Sequence, residues 1–263
     1  MKLAAIQFRP EKADVAGSVR RLESLIRQAG VGQPDLIVCP EMAYTGYLFA
    51  NAPAAAERAE PAAGGYCAHF CDLAKALCSY LVVGYIEQAP DGKLYNSARV
   101  ITGQGELVVN YRKRLLYKSD DTWAQPGRGR YALGGGKTGA YPILETPFGR
   151  LGVGICMDLN DDDFCAFLRR QQPDVLAFPT NWLDQGVDIR GYWHQRLYGV
   201  RTTLVAANTY GEETCAGHPR TKFLGRSAIM KLEAPSRLFE PFVRAETLAW
   251  AEASGDQILL DGI

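Results

Sequence analysis

The sequence predicts an α/β fold in which two sheets face each other and helices cover their outer sides. Three observations lead there. Short, nearly continuous apolar runs alternate with stretches whose apolar residues recur at helical spacing. A unit of strand, helix and a second apolar strand entered by Pro-Asp and left by Pro occurs twice: KLAAIQF to PDLIVCPEM, then GRLGVGICMD to PDVLAFPTN. No linker-like stretch parts the two halves, so residues 1–263 are expected to form a single domain.

The elements follow in order. KLAAIQF reads as a strand. DVAGSVRRLESLIRQAG places Val15, Val19, Leu22, Ile26 and Ala29 on one helical face, with Gly30 as a stop. PDLIVCPEM is a continuous apolar run of the kind buried on both faces of a parallel sheet. The Ala- and Pro-rich stretch that follows is loop or short helix. AAGGYCAHFCDLAKALCSY reads as a helix with Cys67, Cys71 and Cys78 near one face as buried thiols, and LVVGYIE as a strand. SARVITG and ELVVNYR pair as a hairpin around Gly103 and Gly105. In the second half, GRLGVGICMD is a strand and DDDFCAFLRRQQ a helix whose first turn is acidic, where the helix dipole favours carboxylates. PDVLAFPTN, the helix-to-strand pass GYWHQRLYGVRTTLVAAN and the strand FLGRSAIMKL complete the pattern. The mixed stretch from Glu233 onward offers short apolar pieces and no decision about their place.

Composition removes several function classes. A chain of 263 residues with 47% hydrophobic content can bury a sizeable core. Lys plus Arg equals Asp plus Glu at 29 each, so no basic field points to nucleic acid or an anionic membrane. The opening apolar run is short and is followed at once by Pro10 and charges, unlike a secretory signal. No stretch approaches the roughly 18 apolar residues that span a bilayer. A cytoplasmic protein without nucleic-acid or membrane partners is the expectation. Seven widely spaced cysteines suit reduced thiols better than a disulfide framework, and their spacing fits no common zinc pattern.

Three reactive residue types close three apolar runs: Glu41 after PDLIVCP, Lys113 after ELVVNYR and Cys156 after LGVGI. In α/β sheets the carboxyl ends of strands are where ligands gather. Taken singly, each has a plain reading as a solvated carboxylate, a surface charge and a core thiol. Together they supply one amide-cleaving mechanism. A thiol is only a few per cent ionised at neutral pH and needs a base. A carboxylate desolvated at a strand end, Glu41, suits that role. A Lys ammonium and the Met157 N–H could stabilise a tetrahedral oxyanion, each such donor being worth about 3 kcal/mol. His69, His194 and His218 lie in contexts that suggest no histidine-based centre, and no G-x-S-x-G elbow, H-E-x-x-H pair or phosphate loop is present.

VCPEMAYTGY, NYRKRLLY and GVGICMDLN resemble the three signature blocks of the nitrilase (carbon–nitrogen hydrolase) superfamily, in the same order. KLAAIQF, FPTNW, GVRTTLVAANTYG and FLGRSAIM are similar to further segments of that family, so the likeness covers almost the whole chain. The resemblance implies a four-layer αββα sandwich of the nitrilase type, a Glu41–Lys113–Cys156 triad, no cofactor or metal, hydrolysis of a non-peptide C–N bond, and pairing into a homodimer. Many members carry a second glutamate eight or nine residues after the lysine. The acidic candidate here is Asp121, which could bond Lys113, orient substrate, or simply be a solvated loop carboxylate.

Omega-amidase-like members carry an arginine where this chain has Asn160, so a substrate ω-carboxylate loses an obvious partner. YRKxxLYxxDDxW with ICMDLN instead resembles the branch of protein N-terminal asparagine/glutamine amidases known from fungi. That likeness implies a substrate with a free α-amino group, either a peptide N-terminus or a small amine-bearing amide. Asp158, or a carboxylate near it, is the expected ammonium partner. Asp161, Asp162 and Asp163 read equally as helix caps. Asn181 and Trp182 close the strand equivalent to the one before Glu41, and with Tyr47 they are candidates for the pocket wall. An aliphatic amide or omega-amide, an N-carbamoyl compound or a nitrile remains an alternative substrate for the same triad.

Overall fold

The computed structural model describes residues 1–128, 131–133, 137–233 and 245–262. The chain begins with β1 (Lys2–Gln7), α1 (Val15–Gly30) and β2 (Leu36–Val38). A short α2 (Ala52–Ala56) and α3 (Cys67–Leu77) lead to β3 (Tyr80–Gln88), β4 (Leu94–Ile101) and β5 (Leu107–Arg112). A small ribbon, β6 (Tyr131–Leu133) and β7 (Lys137–Gly139), precedes β8 (Ile143–Thr146) and β9 (Gly149–Val153). Then come α4 (Asp162–Gln171), β10 (Val175–Thr180), α5 (Ile189–Arg196) and β11 (Thr202–Asn208). The chain closes with β12 (Tyr210–Glu213), β13 (Thr221–Leu224), β14 (Ala228–Leu232), β15 (Ala245–Trp250) and β16 (Gln257–Gly262).

Among the described residues there are two six-stranded sheets. The first runs β16-β1-β2-β3-β4-β5, and the second, read from its other edge, runs β8-β9-β10-β11-β14-β15. The repeat in the sequence is thus a repeat in topology. Each sheet has a central parallel trio, β1-β2-β3 or β9-β10-β11, joined by helical crossovers and flanked by antiparallel strands.

Strand alternation decides which residues face the partner sheet. Leu3 and Ala5 of β1 join a core shared with Val153, Leu176 and Leu204 of the second sheet. Ala4 and Ile6 point the other way, onto Val19, Leu22 and Ile26 of α1 and Phe70 and Leu73 of α3. The helix α1 is N-capped by Asp14, whose carboxylate accepts from Gly17 N at 2.7 Å. On the opposite flank, Phe164 and Leu168 of α4 and Trp193 of α5 pack onto the second sheet. The layers are therefore helix, sheet, sheet, helix, as the family resemblance implies.

Three expectations need adjustment. Neither Glu41 nor Cys156 ends a strand in the hydrogen-bonding sense: β2 stops at Val38 and β9 at Val153, so each side chain sits three residues beyond. FLGRSAIMKL is two strands, broken where Gly225 and Arg226 both take positive φ. Of Cys67, Cys71 and Cys78 only Cys67 is buried: Cys71 is half-buried, and Cys78, the left-handed C-cap of α3, is exposed. The stretch past residue 244 extends both sheets, β15 pairing with β14 and β16 with β1. No helix among the described residues is long and apolar enough to cross a membrane.

Candidate active site

Glu41 is placed by backbone rather than by a strand. After β2 the chain folds onto β3, with Gly84 N donating to Pro40 O (3.2 Å) and Ala43 N to Gly84 O (2.9 Å). A side chain at Gly84 would meet Pro40 O at 2.5 Å, so only glycine lets the two backbones touch. The Glu41 carboxylate is buried with three donors: Asn96 Nδ2 at 2.6 Å and Lys113 Nζ at 2.8 Å on Oε1, and Asn181 N at 2.8 Å on Oε2. Burial raises its pKa, with the nearby Asp120 charge adding to the effect and Lys113 opposing it.

Lys113 follows β5 directly. Its backbone donates to Asn96 O (2.8 Å) and accepts from Gly127 N (2.7 Å). A side chain at Gly127 would meet Arg112 O at 2.3 Å. The Lys113 ammonium is fully buried between Glu41 and Asp120 Oδ2, the latter at 2.6 Å. Burial alone would push its pKa down, but the two carboxylates outweigh it and hold the pKa well above the usual lysine value. The group therefore stays charged. Of its three donors, two are engaged by these carboxylates.

Cys156 opens a 3₁₀ turn, Cys156–Asn160, with φ of 43°. A non-glycine residue in the left-handed region stores strain of order 1–3 kcal/mol and is held only when its surroundings fix it. Asp158 does the fixing. Its Oδ2 accepts from Ile155 N (3.0 Å) and Tyr111 OH (2.7 Å), and its Oδ1 from Arg114 N (2.9 Å) and Leu115 N (3.0 Å). One carboxylate thus pins the Cys156 turn to both sides of Lys113. The thiol itself is pushed up by burial and by the charge of Glu41, against Lys113, Thr180 and the Asn181 backbone, which favour the thiolate.

A cavity of about 350 Å³ opens beside this cluster. Cys156, Met157, Asn181, Trp182 and Tyr47 all line it, so these five sequence candidates come together. Tyr47 is held there by the Glu213 carboxylate, which accepts from both Tyr47 N and Leu48 N at 3.0 Å, and by edge-on packing with Phe223. Trp182 donates its backbone N–H to Asn208 Oδ1 (2.9 Å) and packs against Phe178, Tyr192 and Trp193. Glu41 and Lys113 lie behind Cys156, sealed from solvent. No group of residues able to hold a metal ion occurs among the described residues.

Two sequence candidates do not belong to this cavity. Asp158 is buried with all its acceptor capacity directed at protein donors, so it is unable to meet a substrate ammonium. Asp121 is exposed, and the carboxylate on Lys113 is that of its neighbour Asp120. The 3₁₀ turn starting at Asp120 bonds both Asp120 N and Asp121 N to Tyr117 O, which turns only the first side chain inward. Asp161 is the N-cap of α4 and Asp162 pairs with Arg196, as helix-start carboxylates do. Besides Asp120, Asn96 is a member that the sequence reading lacks. Its only signal is a polar residue amid the buried run of β4.

The Carbon-nitrogen hydrolase family model matches residues 2–233. The chain is 29% identical to the protein N-terminal amidase of Schizosaccharomyces pombe, across 93% of this chain and 96% of that protein. It is 28% identical to the Saccharomyces cerevisiae protein N-terminal amidase and 28% identical to a Pseudomonas protegens hydrolase encoded in the pqqF 5' region. The chain spans only 45% and 59% of those two proteins' lengths. Among solved structures, an N-terminal amidase with an Asn-Glu-Ala peptide superposes with a TM-score of 0.77, covering 100% of this chain and 97% of that one at 18% identity. An amidase from Nesterenkonia sp. AN1, with the acetamide moiety of fluoroacetamide on its active-site cysteine, gives 0.75 over 99% of this chain and 89% of that one at 16% identity. With the family model covering nearly all of both sheets, the chain belongs to the carbon–nitrogen hydrolase family.

Proposed function

We propose that this protein hydrolyses a carboxamide to a carboxylate and ammonia through a thioester on Cys156. The observation that carries the reading is the buried Glu41–Lys113–Asp120 cluster directly behind a thiol that faces a cavity. Glu41, with its raised pKa, takes the thiol proton as sulfur attacks the amide carbon. The C=O π electrons move to oxygen, and the oxyanion meets the Lys113 ammonium and the Met157 N–H, since the first N–H groups of a helical turn have no partner within that turn. Collapse expels the amine, to which Glu41 returns the proton, and ammonia leaves. Water then attacks the thioester with Glu41 again as base, releasing the acid and restoring the thiol. Asp120 is a positioning residue that fixes Lys113 and keeps its charge.

The favoured substrate is the side-chain amide of an N-terminal Asn or Gln, or a related amide bearing an amine. The protein N-terminal amidase of S. pombe, matched over nearly its whole length, supports this. So does the cavity lining, which includes Tyr47, Tyr117, Trp182 and Tyr192, since an ammonium over an aromatic ring gains about 0.5–2 kcal/mol. These rings, rather than Asp158, are the proposed ammonium site. A second reading, a neutral aliphatic amide, is favoured by the absence of charged side chains from the described lining of that cavity.

Ammonia release from Asn- and Gln-starting peptides, their N-acetylated forms and simple aliphatic amides decides between the readings. Free peptides reacting at least tenfold better than acetylated ones is the expected result. Equal rates would favour the neutral amide. Ammonia release that survives Cys156→Ala would remove the mechanism altogether.

A further inference from the structure

The cavity next to Cys156 does not end at its aromatic wall. A second cavity, of about 420 Å³, is lined by Tyr47, Tyr117, Leu183 and Gln185 as well, so the two adjoin across these side chains. Their chemistry differs sharply. The first has no charged side chain in its described lining, whereas the second is lined by Lys118, Arg220, Lys222 and Asp184, together with His218. Asp184 is already engaged by Lys222 at 2.7 Å. Arg220 is paired with Glu212, which is not part of this lining. Lys118 is exposed and has no ion-pair partner among the described residues. With Glu212 on Arg220 and Asp184 on Lys222, Lys118 is the cation of this lining left without an ion-pair partner among the described residues, and it leaves the second cavity with a net positive charge.

This cavity is also anchored to the first. The β12–β13 hairpin supplies Glu213, whose carboxylate holds the Tyr47 and Leu48 amides. The loop between the two strands supplies His218, whose Nε2 lies 2.9 Å from Phe49 O. Leu183 bridges to Phe223 of β13. The positive wall is therefore held in register with the nucleophile by several independent contacts.

We infer that the second cavity is a specificity subsite that receives the substrate beyond its amide-bearing residue and selects acidic side chains there. This rests on the peptide N-terminus reading above. With the amide carbon at Cys156 and the first residue among the aromatic rings, the rest of the chain leaves through the shared wall, and the next ionisable group it carries meets Lys118. A partly exposed charge pair contributes about 0.2–1 kcal/mol, up to roughly fivefold in affinity, and weakens with salt.

The test is the ratio of kcat/KM for Asn-Glu-Gly over Asn-Lys-Gly, read as ammonia at low ionic strength. Both peptides are measured on one preparation, so the fraction of folded enzyme cancels. The wild-type ratio is expected to lie between about twofold and fivefold, carried mainly by KM, and to shrink in 0.5 M salt. In Lys118→Glu it falls to about one or inverts, and Lys118→Ala lies between. A wild-type ratio near one with both peptides hydrolysed would overturn the subsite while leaving the amidase reading standing. A ratio unaltered by Lys118→Glu would do the same. Ammonia from neither peptide, with aliphatic amides still hydrolysed, would overturn the peptide reading and the subsite with it.

Discussion

Arg112 and Lys113 are neighbours at the end of β5, and each pairs with a buried glutamate, Glu87 on β3 and Glu41 in the loop after β2. The two pairs nevertheless behave in opposite ways. Arg112 faces one side of the sheet and donates to both oxygens of Glu87, at 2.9 Å from Nε and 2.5 Å from Nη2, while Ser97 and Asn110 complete that carboxylate's shell. Burial works against the Glu87 charge, but these hydrogen bonds win and its pKa is lowered. Lys113 faces the other side and shares its ammonium between two carboxylates. Burial wins at Glu41, whose pKa is raised. The difference is one of saturation. A guanidinium fork matched to one carboxylate is a finished structural unit. A point-charge ammonium between two acids leaves one carboxylate with a raised pKa and a third ammonium donor that neither acid takes. Which side of the strand a cation occupies decides which kind of pair it makes.

The largest expected effect comes from breaking the two pairs separately. Lys113→Met removes the proposed oxyanion donor and is expected to lower kcat by about 10³-fold, the scale set by loss of one such donor. Arg112→Met is expected to leave kcat within about threefold for the folded enzyme. It should cost roughly 2 kcal/mol of stability, discounted from a fully buried pair because Arg112 is partly exposed. Steady-state ammonia release and a thermal or urea melt on both variants check this. A Lys113 variant that loses only stability would erase the distinction between the pairs.

A smaller effect sharpens the same comparison through Asp158, which acts on Lys113 only by holding the backbone around it. Asp158→Asn keeps shape but replaces one acceptor oxygen with an NH₂, so two of the four bonds, to Ile155 and Tyr111 or to Arg114 and Leu115, are lost. A drop in kcat of about 10- to 100-fold with KM nearly unchanged is expected, since misplacement by an ångström costs on that order. A rise in KM for amine-bearing substrates alone, with kcat intact, would instead restore a direct contact between Asp158 and substrate.

Much of this was legible in the sequence, and the failures have a common cause. The duplicated strand-helix-strand unit could be read because parallel buried strands are written as apolar runs and α1 as a clean helical stripe. Glu41, Lys113 and Cys156 could be named because each follows such a run. What pattern could not supply was direction within a turn. Asp120 and Asp121 are adjacent and chemically identical, and only the 3₁₀ turn from Asp120 sends the first inward. Asp158 looked available because it lies two residues after Cys156, yet the same tight turn that exposes the thiol folds this carboxylate back onto Ile155 N. Asn96 gave no signal beyond being polar in a buried strand. The basic cavity combines Lys118 with Arg220 and Lys222, a hundred residues further along, which no local pattern joins.

The subtlest expected effect is a pair of opposite pH slopes. Glu41 has a folded pKa above its ordinary value, so between about 4.5 and that raised value the folded chain holds a proton that the unfolded chain has released. Its stabilising contribution is full below about pH 4.5 and is lost as pH rises through the folded pKa. Glu87 has a folded pKa below its ordinary value, so its contribution is present above about pH 4.5 and is lost as pH falls through the folded pKa. Wild type should therefore lose stability relative to Glu41→Gln as pH rises from about 4.5, and lose stability relative to Glu87→Gln as pH falls below it. Each slope is bounded by about 1.4 kcal/mol per pH unit for a single proton. Urea melts between pH 3.5 and 8 read the slopes directly, and any constant packing cost of either glutamine cancels in them. The acid limb of kcat/KM should track Glu41 and lie above the ordinary carboxylate range, because only the ionised form can take the thiol proton. Slopes of the same sign would mean that both glutamates sit in the same kind of pair, and that Lys113 differs from Arg112 only in what it is called.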